Sequence, residues 1–279
     1  MNSKVGFMQG RLSPVINGKI QEFPWNNWRE EFDVAASLGF RLMEWTLDQC
    51  RLYENPLMTQ IGQTEIRKLS RDCKIKIPSL TGDCFMQSPF WKLLGAEKKD
   101  RQNDLMLILD GCANVGISQI VIPLVDDGRI DNNDQSTALL SFLHAKETAI
   151  IDRGIQIVFE SDFGPDELKA FIGQFNPKVF GINYDIGNSA ALGFDVDEEF
   201  AAYGDRILNV HVKDRMLKGT TVPLGNGNAD FAKVFRQLAI IEYRGNYILQ
   251  TARADNGNHS GVLSHYKTVV EKWVFDNGS

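Results

Sequence analysis

The sequence predicts an α/β fold in which eight parallel strands alternate with helices and close into a (β/α)8 TIM barrel, a single domain over residues 1–279. The first sign is a repeated handover, helix to glycine to strand, in AASLG-FRLMEW, CANVG-ISQIVIPL, IIDRG-IQIVFE and EYRG-NYILQ. Gly39, Gly116, Gly154 and Gly245 each fall where a helix C′ residue needs positive φ. The second sign is spacing: eight short apolar strands recur about every 35 residues along the chain. The third is that these strands are apolar on both faces, as a parallel sheet covered by helices requires. An open doubly wound sheet is the alternative, but no G-x-G-x-x-G follows the first strand to support a dinucleotide site.

Taken in order, KVGFM (4–8) is the first strand, and NWREEFDVAASL (27–38) has the 3.6-residue period of the first helix. FRLMEW (40–45) and KIKIPSL (74–80) are the second and third strands. DLMLILDGCANV (104–115) is a helix that hands over to ISQIVIPL (117–124), the fourth strand. STALLSFLHAKETAII (136–151) leads to IQIVFE (155–160), and DELKAFIGQF (166–175) leads to VFGINY (179–184). ILNVHV (207–212) is the seventh strand, followed by the helix ADFAKVFRQLAII (229–241) and the eighth strand NYILQ (246–250). No linker, low-complexity segment or charge block divides the chain.

Composition excludes several function classes. A net charge of −6 offers no general attraction to nucleic acid or anionic membranes. The start MNSKVGFMQG lacks an apolar leader core, and no apolar run approaches a membrane span. Cys50, Cys73, Cys84 and Cys112 form no C-x-x-C pair, so scattered thiols and a cytoplasmic location are expected. Cys84 lies near the rim but has no base beside it in sequence.

Such barrels do their chemistry at the C-terminal ends of the strands. Those ends carry Gln9 and Arg11, Glu44, Thr81 and Asp83, Asp126 and Asp127, Glu160, Asp185 with Asn188, His211 through Arg215, and Gln250 with Arg253. Rims are wet in any case, and each residue taken singly fits that explanation. Glu160, Asp185, His211 and Gln250 stand out because each ends a strand that is otherwise apolar. A lone buried carboxylate is costly without a cation or donors. Two carboxylates and an imidazole on consecutive strands suit a divalent ion such as Mn, Co, Zn or Mg. Alone, His211 would read as a core histidine bonded to backbone; with Glu160 and Asp185 in register it reads as a ligand.

At these residues the chain resembles the xylose-isomerase-like barrels, the sugar and sugar-phosphate isomerase/epimerase group that includes the L-ribulose-5-phosphate 3-epimerases. The likeness is carried by YDIGNSAA and HVKDRMLKGTTVPLGNGNADF, and more weakly by GFRLMEWTLD and IPSLTGDCF. The resemblance implies that Glu160 binds metal and acts as an acid/base, and that Asp185 and His211 are the next two ligands. The fourth ligand and second acid/base is normally a glutamate; the matching position holds Gln250. A small sugar or sugar phosphate as the partner, and a homo-dimer or tetramer, are also implied.

The chemistry needs a metal to polarise a ketose and a carboxylate to remove the α-proton, giving a cis-enediolate. Epimerisation needs bases on both faces; isomerisation between adjacent carbons can use one. Gln250 can ligate but cannot act as a base, so isomerisation with Glu160 as sole base stands beside epimerisation. It also leaves the ligand set one negative charge short, so metal should bind more weakly. Lys213, Asp214, Arg215 and Asn188 are candidates for sugar hydroxyls or phosphate, as are Glu44, Arg11 and Arg253. The turn LGNGN, with Gly225 and Gly227, either cradles an anion or simply makes a tight turn before a helix capped by Asn228 or Asp230. Trp45, Phe85, Phe90 and Trp91 suit either an apolar wall against the sugar or local packing. Two other functions compete. An AP-endonuclease-like enzyme needs several histidines, and of His144, His211, His259 and His265 only His211 ends a strand. A weakened barrel that binds or senses a sugar is suggested by Gln250 alone.

Overall fold

A computed structural model describes residues 3–16 and 18–278. Met1 and Asn2, where the reading of the N-terminus begins, lie outside the described residues. The first half runs β1 (Val5–Met8), α1 (Glu30–Ser37), β2 (Met43–Thr46), α2 (Gln60–Cys73), β3 (Ser79–Thr81), α3 (Asp83–Gln87), α4 (Gly95–Val115), β4 (Gln119–Leu124) and α5 (Asn133–Asp152). The second half runs β5 (Gln156–Ser161), α6 (Pro165–Ile172), β6 (Phe180–Asp185), α7 (Ile186–Leu192), α8 (Val196–Tyr203) and β7 (Ile207–Val212). It ends with β8 (Asp214–Arg215), β9 (Thr221–Val222), α9 (Phe231–Ile240), β10 (Asn246–Leu249) and α10 (His259–Asp276).

Eight strands close in the order β1-β10-β7-β6-β5-β4-β3-β2, all neighbours parallel, while β8 and β9 form a separate antiparallel ribbon. The open-sheet alternative is thereby excluded. Among the described residues no helix is long and apolar enough to cross a membrane.

The period-two alternation of the strands decides what the barrel holds. Along β6, Ile182 and Tyr184 face the helices; along β7, Val210 and Val212 do the same. Tyr184 packs on Phe200 of α8 with ring centroids 5.3 Å apart, and Tyr247 of β10 stacks on Phe235 of α9 at 5.5 Å. The alternate positions, Asn183 and Asp185, Asn209 and His211, point inward. Asn209 reaches across the barrel to Glu44 of β2, so the interior is polar where most such barrels pack branched aliphatics.

Three of the four expected helix-ending glycines have positive φ: Gly39 at 74°, Gly116 at 87° and Gly154 at 65°. Gly245 is a correction. Glu242 takes the left-handed position after α9, at φ 53°, while a Cβ on Gly245 would stand 2.6 Å from the Leu208 carbonyl and 2.3 Å from the Tyr243 hydroxyl. That glycine serves close approach to β7 instead of a left-handed turn. Helices α2 and α10 escaped the periodicity reading. In α2 only Gly62 and Ile66 are buried; the helix stands on its Thr59 cap, which accepts from Gly62 N, and on contacts along one narrow stripe.

Candidate metal centre

Three side chains from consecutive strands meet inside the barrel mouth. Glu160, Asp185 and His211 each present one ligand atom, all within 4.8 Å of one another. The registers place them: Asp185 lies level with His211 in the β6–β7 ladder, and Glu160 is the penultimate residue of β5. Local sequence fixes Asp185. In D-I-G-N it is the N-cap of α7, its Oδ1 accepting from Asn188 N at 2.9 Å, which leaves Oδ2 facing the centre.

His211 is wholly buried, and its Nε2 donates to Glu44 Oε1 at 2.7 Å. Glu44 Oε2 also accepts from Ser79 Oγ at 2.6 Å and Asn209 Nδ2 at 3.0 Å. A carboxylate so held keeps the proton on Nε2 and turns Nδ1 toward Glu160 Oε2, 3.1 Å away, and Asp185 Oδ2, 3.9 Å away. Burial alone would depress the imidazole, but Glu44 and Glu160 outweigh it and push its pKa up to about 10. A proton and a metal ion therefore compete for Nδ1.

Glu160 accepts from Asn188 Nδ2 at 2.7 Å and Asn183 Nδ2 at 2.9 Å. Burial raises its pKa, yet His211 and Lys213 more than offset that and hold it below the ordinary glutamate value. Burial pushes Asp185 the other way, up, although Lys213 Nζ stands 2.7 Å from its Oδ2. Three carboxylates, one imidazole and one ammonium thus share the interior. A divalent ion taking the place of the imidazolium proton would leave the cluster neutral. Asp185 Oδ2 and His211 Nδ1 also lack a well-aligned hydrogen bond, despite these near neighbours. Donor chemistry, charge and orientation all fit a divalent cation, for which Lys213 would compete at Asp185.

Above this cluster opens a cavity of about 670 Å³. Glu160, Asn188, Lys213, Arg215 and Gln250 line it, as do Gln21, Asp83 and Asp126. Gln250 follows β10 on the same side as the cluster, and its Oε1 accepts from Lys213 Nζ at 3.0 Å. Arg215 donates Nη1 to Asn188 Oδ1 at 2.8 Å, and its remaining nitrogens bind the Gly219 carbonyl.

The structure places the other expected contacts elsewhere. Glu44 lies beneath His211, fully buried, and supports the imidazole instead of meeting substrate. Arg11 donates to the carbonyls of Thr251 and Ile20, and Arg253 to those of Gly10 and Ser13, so both guanidiniums tie loops together. The LGNGN amides do hold an anion, but it is Asp214. Its carboxylate accepts from Gly225 N at 2.8 Å, Gly227 N at 2.9 Å and Ala229 N at 3.1 Å. A Cβ on Gly227 would fall 2.1 Å from Asp214 Oδ1, which is why that position is glycine. Asp214, Gly225 and Gly227 are therefore a folding unit of the rim, and Asp230 caps α9 through Lys233 N. Trp45, Phe85, Phe90 and Trp91 are buried and absent from the cavity lining, and Phe90 packs against Trp91 at 5.1 Å. Burial also raises the Cys84 thiol well above its usual value, so it is no nucleophile.

Gln21 carries no periodic signal in the sequence and was not expected here. Its Oε1 accepts from Gln250 Nε2 at 3.1 Å and its Nε2 donates to Asp83 Oδ2 at 2.5 Å. Asp83 stands among the rim residues in sequence, but only the fold shows it entering the cavity.

A family model described as xylose isomerase-like TIM barrel matches residues 32–266. The provisionally named L-ribulose-5-phosphate 3-epimerase SgbU of Escherichia coli K12 is 35% identical over 238 residues, covering 80% of this chain and 83% of the relative. The crystal structure of a D-allulose 3-epimerase from Methylomonas sp. superposes with a TM-score of 0.75 at 16% identity, covering 97% of each chain. The IOLI protein, solved with a bound zinc atom, gives a TM-score of 0.73 at 13% identity over 98% of each chain. At these identities the two structural likenesses speak to the barrel alone.

Proposed function

The chain belongs to the xylose isomerase-like TIM barrel family, and on that premise we propose a divalent-metal-dependent isomerase or epimerase that acts on a sugar or sugar phosphate through proton abstraction and a cis-enediolate. The observation that carries this reading is the convergence of Glu160, Asp185 and His211, with Glu44 fixing the imidazole, beside a cavity that Glu160 lines. Glu160, Asp185 and His211 would hold the ion, and Gln250, whose Oε1 accepts from Lys213 Nζ in this structure, would supply a carbonyl as the fourth ligand on giving up that bond. The ion supplies polarisation of the substrate carbonyl and its neighbouring hydroxyl.

This chain's residues do the rest. Glu160 removes the proton α to the carbonyl; the two asparagine amides on its oxygens keep the carboxylate aimed. Lys213 and Arg215 line the cavity and offer N–H donors to sugar hydroxyls or a phosphate. The cavity volume is ample for a five- or six-carbon sugar, and the amide, carboxylate and cationic side chains in its lining suit hydroxyl recognition.

The test is incubation with Mn²⁺ in D₂O and D-allulose, L-ribulose or L-ribulose 5-phosphate, followed by NMR. At least one ketose should gain deuterium next to its carbonyl, and Glu160→Gln should slow that exchange by roughly 100-fold or more. No exchange into any of the three by metal-loaded protein would sink the reading. Gln250 favours one alternative, a barrel that binds a sugar without turning it over; bound sugar with no exchange is its signature.

A further inference from the structure

Gln250 leaves a chemical gap. Inverting a carbon requires a proton to leave one face and another to arrive on the opposite face, and a carboxamide does neither. Three carboxylates line the cavity: Glu160, Asp126 and Asp83. Asp126 is exposed on the turn after β4. Asp83 is 8% exposed and begins α3 immediately after β3.

Its surroundings single it out. Asp83 Oδ2 accepts from Gln21, and Gln21 accepts from both Gln250 Nε2 and Arg11 Nη2. The position that lacks a base is thus joined through one side chain to a carboxylate. Asp83 Oδ1 accepts no hydrogen bond among the described residues. In the closed barrel β3 lies four strands from β7 and two from β5, so Asp83 enters the mouth opposite His211 and a quarter-turn from Glu160, with which it shares the cavity. Burial, then the nearby Asp48 and Glu160, push its carboxyl up to about 7, against Gln21 and Arg11, which pull it down. Both protonation states are therefore populated at neutral pH.

We propose that Asp83 is the second acid/base of this site, working on the sugar face opposite Glu160, so that the enzyme inverts a carbon next to a ketose carbonyl. This rests on the reading of the cavity as a sugar site. Glu160 takes the α-proton; the C–H electron pair becomes the enediolate double bond, and the carbonyl oxygen takes the charge. Protonated Asp83 then delivers its proton to the opposite face, and the oxygen electrons close the carbonyl again. Turnover leaves Glu160 protonated and Asp83 ionised. Proton exchange of the two carboxyls with water resets them, with no other reactant consumed.

The test compares wild type, Asp83→Asn and the double variant Asp83→Asn/Gln250→Glu with Mn²⁺ and the same three ketoses in D₂O. Wild type should both exchange and invert. Asp83→Asn should lose inversion by about 100-fold or more while proton wash-out from the epimer attacked by Glu160 persists, and the added glutamate should restore inversion. In metal-free protein labelled with ¹³C at aspartate carboxyls, one resonance titrating near pH 7 should vanish in Asp83→Asn. Inversion by Asp83→Asn within about threefold of wild type overturns the assignment alone, as does wild-type exchange without inversion. Loss of wash-out together with inversion, or an Asp83 carboxyl titrating below about 5, also overturns it. No exchange by wild type overturns the sugar reading, and the assignment with it.

Discussion

Glu44→Gln tests the whole centre from beneath. Glu44 is fully buried and accepts from His211 Nε2, Ser79 Oγ and Asn209 Nδ2. A glutamine keeps one acceptor oxygen and turns an NH₂ toward one of these donors. If the NH₂ faces His211, Nε2 must accept, and the ring proton moves to Nδ1, the atom aimed at Glu160 and Asp185. Loss of such a supporting carboxylate typically weakens metal binding ~10- to 100-fold, or about 1.4–2.7 kcal/mol. Metal-free protein should also lose stability, on the order of 2–3 kcal/mol for one charge-assisted hydrogen bond. The sign follows from His211, whose pKa rises from 6.5 to about 10 on folding. Its contribution is present in full below pH 6.5 and is lost as pH rises through 10, so the variant should suffer most in acid and neutral solution. Calorimetric Mn²⁺ titrations and melting curves at pH 6 and pH 10 give both quantities. A Kd within about twofold of wild type, with an unchanged Tm, would refute the argument that Glu44 fixes the imidazole.

Gln250→Glu should tighten Mn²⁺ binding by roughly 10-fold, read by the same titration, because a charged ligand replaces a carbonyl beside Lys213. An unchanged Kd would place Gln250 outside the metal shell. Asp83 carries a folded pKa of about 7 against 3.8 in the unfolded chain, so its contribution to stability falls as pH rises from about 4 to about 7. Asp83→Asn should therefore stabilise metal-free protein at pH 8 by on the order of 2–4 kcal/mol and change little at pH 4; equal Tm shifts at both pH values would contradict this. Asp214→Asn removes an ionic acceptor of three backbone amides and should cost about 2–3 kcal/mol. Gly227→Ala should destabilise as well, and thermal melts in which both variants match wild type would remove Asp214 from the rim's architecture.

Much of this centre was legible in the sequence because strand alternation and chain order are local. A glutamate, an aspartate and a histidine each ending an apolar strand must, in a closed parallel barrel, arrive at one rim together. Helix-ending glycines were legible for the same reason at Gly39, Gly116 and Gly154. Gly245 was misread because crowding against Leu208 and Tyr243 calls for a glycine just as a left-handed turn does, and sequence alone does not separate the two.

Rim polarity was a poorer guide, because a charged residue beside a site has several ways to be satisfied. Asp214 turned its carboxylate onto its own loop, Arg11 and Arg253 spent their donors on carbonyls, and Glu44 pointed inward. Gln21 and Asp83 lie 62 residues apart, and Gln21 and Gln250 lie 229 apart, so no local pattern announces their contact. The sequence by itself determined the barrel and the arrival of Glu160, Asp185 and His211 at one rim. Only the tertiary structure decided which polar side chains face the cavity, because that choice is made by partners brought together across the barrel.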